Sequence, residues 1–139
     1  MNIQYKYSSQ LTVDSPTYYR DFETLEIEVI KSSEYVIWSQ SNMNNTISYI
    51  YKNNFNALKP FENLLLQHDG SCNEGQFKLF INLEINTRYV LVVTTLRPNT
   101  IGDFSITISG PMNVTLSQIS KHSFSFSNDS KTKNYTFCL

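Results

Sequence analysis

Apolar and polar residues alternate with a period of two in three well-separated segments of the chain. These segments are residues 24–30, 77–83 and 104–108. Successive side chains of a β-strand point to opposite faces of its sheet, so each segment predicts a strand with one buried and one exposed face. The predicted inward positions are Leu25, Ile27, Val29, Phe77, Leu79, Ile81, Leu83, Phe104, Ile106 and Ile108.

Further segments extend the predicted sheet structure. Residues 35–38 and 47–51 read as strands, and residues 3–13 and 64–67 are weaker candidates. Residues 89–95 are apolar on both faces, which predicts a central strand that is covered on both sides. Turn residues separate these segments, and about eight short strands at this spacing predict an all-β domain built as an antiparallel two-sheet β-sandwich. No helix of useful length is predicted.

The composition agrees with an all-β fold. Ala, the best helix former, occurs once, whereas β-branched and aromatic residues are abundant. The 139 residues are enough for one domain with one core. After Gly110 the chain becomes rich in Ser, Lys, Asn and Thr. We therefore expect a compact domain over residues 1–110 and a polar linker, tail or start of a following unit over residues 111–139. A packed strand at residues 123–127 is the competing interpretation.

Charge and hydropathy exclude two classes of partner. The formal net charge is -1, and a nucleic-acid-binding module normally carries a basic surplus, so no nucleic-acid partner is expected. The longest apolar run, residues 89–93, is far shorter than a membrane-spanning helix requires, so no transmembrane segment is expected. The polar N-terminus lacks the apolar segment of a signal peptide, which taken literally predicts a cytoplasmic protein. We favour the alternative that the chain is a domain of a longer exported protein.

Few residues offer catalytic or metal-binding chemistry. His68, Asp69 and Ser71 are close in sequence, but no nucleophile motif surrounds them, and a solvated turn between two strands is the simpler interpretation. No catalytic residue is therefore predicted. Asp69 and Glu74 flank the same turn and are the candidate ligands for calcium. Because calcium requires six to eight oxygen ligands, two carboxylates alone make a poor site, and no other cofactor is expected.

Aromatic residues supply the candidate ligand-binding surface. An exposed tyrosine can stack on a sugar ring or anchor a protein interface, and it can equally cap the open end of a sandwich core. The residues concerned are Tyr49, Tyr51, Phe55 and Phe61.

The sequence contains candidate sites for two covalent modifications. Cys72 and Cys138 are a candidate disulfide, and the alternative is two unrelated thiols. Four sequons are candidate N-glycosylation sites, although their number is close to what chance gives for this composition. The four asparagines are Asn44, Asn113, Asn128 and Asn134.

The order of several weak motifs resembles the bacterial pre-peptidase C-terminal domain, over about residues 20–111. The motifs are Tyr35-x-Ile37-x-Ser39-x-Ser41, Asn45-Thr46-x-x-Tyr49-x-Tyr51, Leu64-Leu65 leading to His68-Asp69-Gly70-Ser71, residues 76–83, residues 87–93 and residues 102–108. Similar modules are also present in extracellular proteins of invertebrates. The resemblance implies a jelly-roll-like sandwich that is secreted, non-catalytic and attached to a larger protein. This chain departs from the family at His68 and Gly70, where the family has aspartates, and at Asn45, where it has an acid.

Three hypotheses about function follow. The first is a non-catalytic extracellular or cell-surface module that acts through contacts with protein surfaces. The second is a carbohydrate-binding module that uses the exposed tyrosines. The third is a structural spacer in a repeat array. The expected partner is thus a protein or glycan surface, and the oligomeric state is left open.

Overall fold

A computed structural model describes residues 2–11, 20–43, 45–56, 58–70, 73–95 and 102–124 of the chain. These residues form nine strands and no helix, and therefore contain no helical segment that could cross a membrane. The strands are β1 Ile3–Leu11, β2 Arg20–Val29, β3 Ser33–Ser41, β4 Thr46–Lys52, β5 Leu64–His68, β6 Lys78–Leu83, β7 Tyr89–Thr95, β8 Gly102–Gly110 and β9 Val114–Phe124. The predicted all-β class is confirmed.

The strands form two antiparallel sheets. The four-stranded sheet has the order β1-β8-β3-β6, and the five-stranded sheet has the order β5-β4-β7-β2-β9. Strands β1 to β8 alone give the jelly-roll arrangement, because the chain crosses repeatedly between two four-stranded layers and its first strand pairs with its eighth. Strands β5 and β6 lie alongside each other at one margin of the sandwich, and β1 and β2 at the opposite margin.

The core lies between the two sheets and is built from the predicted alternating rows. Leu25, Ile27 and Val29 of β2 are all buried in it. The inward positions of β6 and β8 also belong to this core, with Ile81 only partly buried. As predicted, β7 is buried along its whole length, because β2 and β4 pair with its two edges and both of its faces are covered.

The chain after Gly110 differs from the expected linker. Residues 114–124 form β9, which pairs along β2 from Arg20 to Val29. Val114 and Leu116 are buried in the shared core, whereas the following side chains as far as Ile119 are exposed. Backbone pairing along a neighbouring strand therefore holds this polar segment in the sheet. The compact unit extends at least to Phe124, and residues 125–139, which include most of the competing strand at 123–127, lie outside the described residues.

A buried polar network fixes the connection between the two sheets near the start of β6. Ser39 Oγ lies 2.8 Å from Thr46 Oγ1 and donates a hydrogen bond to Gln76 Oε1. The Gln76 amide nitrogen donates to the carbonyl oxygens of Ser41 and Met43, at 3.2 and 3.1 Å. Because these bonds join the β3–β4 turn to the residue two positions before β6, they set where β6 begins.

Polar contacts also join the sheets at both margins. At the β1–β2 margin, Ser9 Oγ donates a hydrogen bond of 2.6 Å to the carboxylate of the fully buried Glu23. Burial beside this carboxylate raises the pKa of the Tyr7 hydroxyl. At the β5–β6 margin, His68 accepts a hydrogen bond from the backbone of Lys78. Each margin is thus closed by a bond between the two layers as well as by apolar packing.

Gly110 provides a direct test of this packing. The residue is buried at the end of β8, and a Cβ atom built there would overlap the ring of the fully buried Tyr35. We expect Gly110→Ala to lower the free energy of unfolding by about 1–3 kcal/mol, because overpacking a dense core forces side chains and backbone to shift. Urea unfolding measures this change.

Ser109→Ala, on the outer face of the same strand, is the matched control and should change the free energy of unfolding little. A Gly-to-Ala change that fits without strain stabilises a protein by restricting its unfolded chain. A stabilised Gly110→Ala variant would therefore contradict the packing of Tyr35 against this glycine.

Candidate functional site

The aromatic residues predicted to bind a ligand lie on the outer face of the five-stranded sheet, where most of them are covered. Tyr51 is fully buried, its ring centroid lies 4.8 Å from that of Phe55, and its hydroxyl donates a 2.7 Å hydrogen bond to the Pro60 carbonyl oxygen. Phe55 in turn packs edge-on against Phe22. Tyr49 is half-buried against the same cluster. The prediction relied on exposed tyrosines, and Tyr51 is not exposed.

The loop of residues 53–63 packs on this aromatic cluster through Phe55 and Pro60, among its described residues, which is why the tyrosines are less exposed than the sequence pattern predicts. Arg88 holds one end of the loop: its guanidinium pairs with Glu26 at 2.9 Å and donates to the Asn53 carbonyl oxygen at 2.7 Å. The aromatic residues form a second small core between sheet and loop. Phe61, which is 44% exposed, keeps the accessibility that the prediction required.

The predicted calcium ligands Asp69 and Glu74 stand at the two ends of a turn that is organised by its own backbone. The Gly70 carbonyl oxygen accepts hydrogen bonds from the amides of Asn73 and Gly75, both at 3.0 Å. Gly70 adopts a positive φ of 81°, and a Cβ there would collide with the backbone of Gly75. Within the described ranges, no group of three or more His, Cys, Asp or Glu side chains comes together. The calcium site therefore stays a prediction that rests on two carboxylates.

His68 has a structural role that sequence reasoning missed. The side chain is 7% exposed, and its Nδ1 accepts backbone hydrogen bonds from Gly70 at 3.1 Å and from Lys78 at 3.2 Å. A nitrogen that accepts two N–H groups cannot carry a proton itself. Burial lowers the pKa of His68, while the nearby Asp69 carboxylate acts weakly in the opposite direction. The neutral imidazole thus ties the turn and the start of β6 to the end of β5.

The predicted modification sites fall mostly outside the described residues. Cys72 and Cys138 both lie there, as do Asn44, Asn128 and Asn134. Asn113 is exposed in the turn between β8 and β9, where its amide is accessible from solvent. Glycosylation and the disulfide stay predictions.

The outer face of the four-stranded sheet was not singled out from the sequence, although the alternation implied it. If Ile37 and Leu79 point inward, then Trp38 and Phe80 must point outward. Phe80 is 59% exposed, and Trp38 is partly exposed. We call this surface the Trp38 face and define it by the outward positions Gln4, Lys6, Ser8, Gln10, Glu34, Val36, Trp38, Gln40, Lys78, Phe80, Asn82, Asp103, Ser105, Thr107 and Ser109.

Strand register places the residues of the Trp38 face in rows across the sheet. One row runs Lys6, Thr107, Trp38 and Lys78, and the next ends with Val36 and Phe80. The Lys78 ammonium lies 5.5 Å from the centroid of the Phe80 ring, a cation–π contact within one strand. Two aromatic rings on neighbouring strands, with an ammonium group beside them, therefore form the apolar centre of this face.

A shallow trough of about 720 Å³ lies on the same face and includes Gln40, the outward residue that follows Trp38 on β3. Its lining includes Lys6, Ser8, Gln40, Asp103 and Ser105, which are polar side chains from three adjacent strands. The trough is open to solvent along the sheet, and its walls offer both hydrogen-bond donors and acceptors. The Trp38 face thus combines exposed aromatic surface with an adjoining polar surface.

Comparison of the chain with protein-family models, with curated proteins and with solved structures found no significant match.

The role of Tyr51 as a loop anchor predicts the effect of removing its hydroxyl. We expect Tyr51→Phe to lower the free energy of unfolding by about 1 kcal/mol, because the Pro60 carbonyl oxygen loses its donor while the buried ring is kept. Urea unfolding measures the loss. Phe61→Ala, an exposed position in the same loop, is the control and should lie within about 0.5 kcal/mol of the parent chain. Equal stability of the parent chain and Tyr51→Phe would show that this bond does not hold the loop.

The environment of His68 predicts a dependence of stability on pH. Because burial lowers the pKa of His68 below its ordinary value of 6.5, the unfolded chain takes up the proton first, and acid favours unfolding. The contribution of His68 to stability is therefore complete above about pH 6.5 and is lost as the pH falls through the lower pKa of the folded state. Urea unfolding at several values between pH 7.5 and pH 5 should show this loss.

His68→Asn is the matched variant, since an amide oxygen can accept the same backbone hydrogen bonds and does not titrate. The variant should lose less stability between pH 7.5 and pH 5 than the parent chain. The two chains differ only at position 68, so the difference between their pH profiles isolates His68. Parallel pH profiles of the two proteins would rule out the neutral His68 as the cause.

Proposed function

We propose that this domain is a non-catalytic binding module of an extracellular or cell-surface protein, and that it binds through the Trp38 face. The observation that carries the proposal is the contrast between the two outer surfaces of the sandwich. On the five-stranded sheet, aromatic residues such as Tyr51 are buried beneath the 53–63 loop. On the four-stranded sheet, Phe80 is 59% exposed beside a partly exposed Trp38.

Large aromatic side chains that are exposed on the face of a sheet are unfavourable unless a partner covers them. A flat surface with exposed rings invites nonspecific association, and burial of Phe or Trp is worth several kcal/mol in a core or an interface. Tryptophan is also enriched among the residues that dominate binding energies. The one Trp of the chain lies at the centre of this face, in a row between Thr107 and Lys78. This placement supports a binding role for the face.

The environment of His68 supports a non-catalytic role. A general base needs a nitrogen that can accept a proton from the reacting group. The Nδ1 of His68 accepts two backbone N–H groups, so the proton of the neutral ring lies on Nε2, and the residue is 7% exposed. The segment His68-Asp69-Ser71 therefore gives no support to a nucleophilic triad. Ser71 itself lies outside the described residues.

The extracellular location is supported by the resemblance to the pre-peptidase C-terminal domain, whose members are secreted parts of larger proteins. The jelly-roll order of β1 to β8 has the architecture that this resemblance implies. The exposed Asn113 would be an accessible glycosylation site in such a location.

Binding to natural surfaces tests the proposal. The full 139-residue chain would be labelled with a fluorophore and incubated with cultured animal cells, yeast cells and plant cell-wall fragments, which display both proteins and glycans. We expect the labelled chain to bind at least one of these surfaces. Trp38→Ala should lower the bound fraction by roughly tenfold, because truncation of a central interface tryptophan removes a large share of binding energy.

Leu58→Ala is the control, since it removes a large side chain that is 82% exposed on the opposite side of the sandwich. It should bind like the parent chain, and urea unfolding should show that both variants are folded. No binding to any surface, or binding that Trp38→Ala leaves unchanged, would overturn the proposal.

A further inference from the structure

We infer that the ligand of the Trp38 face is a linear polysaccharide of uncharged sugars, which lies diagonally over the sheet from Phe80 past Trp38 and into the polar trough. This inference rests on the proposed function and names the class of ligand.

The aromatic pair places two rings on neighbouring strands, where one extended sugar chain can contact both. Trp38 and Phe80 are diagonal neighbours on β3 and β6, since Trp38 is opposite Lys78 and Val36 is opposite Phe80. Diagonal neighbours of this kind are about 7–8 Å apart. Pyranose rings present faces of C–H groups that pack on aromatic rings, and their hydroxyl groups point outward around the ring edge. Two rings offset along the sheet can thus contact separate sugars of one chain.

The trough supplies hydrogen-bonding groups next to this pair. Gln40 is the next outward residue after Trp38 on β3. It lies opposite Ser105 of β8, and Ser105 lies opposite Ser8 of β1. All three line the trough, and Asp103 lies one row further on. Amide, hydroxyl and carboxylate groups match sugar hydroxyls, each of which both donates and accepts. Successive rows are about 7 Å apart, so aromatic pair and trough together span roughly 20 Å of sheet.

The charges of the face favour an uncharged ligand. Its charged positions are two lysines, Lys6 and Lys78, and two acids, Glu34 and Asp103, so the formal charge is balanced. The acids stand in rows on either side of the lysine row. A polyanion such as nucleic acid or a sulfated glycan would meet repulsion on both sides of the central row.

The polar character of the face distinguishes a glycan from a protein partner. Val36, Trp38 and Phe80 are its apolar positions. Eight of the others carry uncharged amide or hydroxyl groups, and of these eight Ser105 and Thr107 are buried between the neighbouring strands. The core of a protein–protein interface is more apolar than this and is depleted of serine. An aromatic pair surrounded by uncharged hydrogen-bonding groups corresponds more closely to the surface of a sugar chain.

Trp38 itself provides the readout, because it is the single tryptophan of the chain. The experiment titrates the full chain with soluble cello-, xylo-, manno- and chito-oligosaccharides, with soluble β-glucan and starch, and with heparin as the charged comparison, and it follows tryptophan emission. Pull-down with insoluble cellulose and chitin extends the panel. We expect at least one neutral glycan to shift the emission and protect Trp38 from acrylamide quenching. Its Kd should be unchanged between low and high salt, since screening does not weaken an uncharged ligand.

Variants assign the binding to the face. Phe80→Ala and Gln40→Ala should each weaken binding of the responding glycan, Phe80→Ala by roughly tenfold. Leu58→Ala, in the 53–63 loop on the opposite side of the sandwich, should leave the Kd unchanged. Trp38→Ala is followed by retardation in a gel that contains the glycan, because it lacks the fluorescent reporter, and it should run without retardation. Urea unfolding shows that each variant is folded.

Three results would overturn the inference: no response to any neutral glycan, a response that Phe80→Ala and Gln40→Ala leave unchanged, or salt-sensitive binding to heparin alone. The cell-surface experiment separates this failure from failure of the proposed function. Digestion with glycosidases that cleave the glycans of the panel should abolish surface binding that depends on Trp38. If protease abolishes that binding and the glycosidases do not, the face binds a protein, so the proposed function stands and the glycan is excluded. If no surface binding depends on Trp38, both fail.

Discussion

The pleat of the β-strand is the constraint on which the rest of this structure depends. Because successive side chains of a strand alternate in direction, every second side chain points into the space between the sheets, and the others point to the outer surface. A shift of one residue in register would exchange the two sets completely. Leu25, Ile27 and Val29 fix this choice for β2, and Tyr35 and Ile37 fix it for β3. The outward placement of Trp38 follows from those inward residues.

The two outer surfaces of the sandwich differ in whether their outward side chains are covered. On the five-stranded sheet, a loop pinned by Arg88 covers the outward residues, so Tyr51 becomes part of a second core. On the four-stranded sheet, outward residues such as Phe80 are accessible. Near the end of β3, the hydrogen bonds of Gln76 and His68 set the position of β6 and hence of Lys78 and Phe80. Buried polar groups thus hold the exposed ones in place.

Much of the fold could be predicted from the sequence, because alternation is a local property. The rows at residues 24–30, 77–83 and 104–108 were placed on the correct faces. Strand β9 could not be recognised in the same way, since only Val114 and Leu116 are buried in its described part and the strand is held by backbone pairing with β2. Backbone pairing leaves no signature in side-chain pattern.

The candidate site was harder to predict because it depends on contacts between distant residues. The burial of Tyr51 follows from a loop that folds back over it, with Pro60 accepting its hydrogen bond. The role of His68 depends on an amide ten residues later that the turn brings to Nδ1. No regular spacing of residues in the sequence predicts either contact. Phe80, by contrast, could have been found by asking which large residues the alternation leaves outside.

The pairing of β1 with β8 has a consequence for how the chain reaches this state. Ile3 lies opposite Gly110, so roughly a hundred residues separate the partners of one strand pair. During synthesis on the ribosome, β1 has no strand partner until nearly the whole domain has emerged. Until then, its tyrosines at positions 5 and 7 are exposed to solvent or bound by a chaperone. Closure of the roll is therefore expected among the last and slowest events, and the domain should be most vulnerable to aggregation just before it.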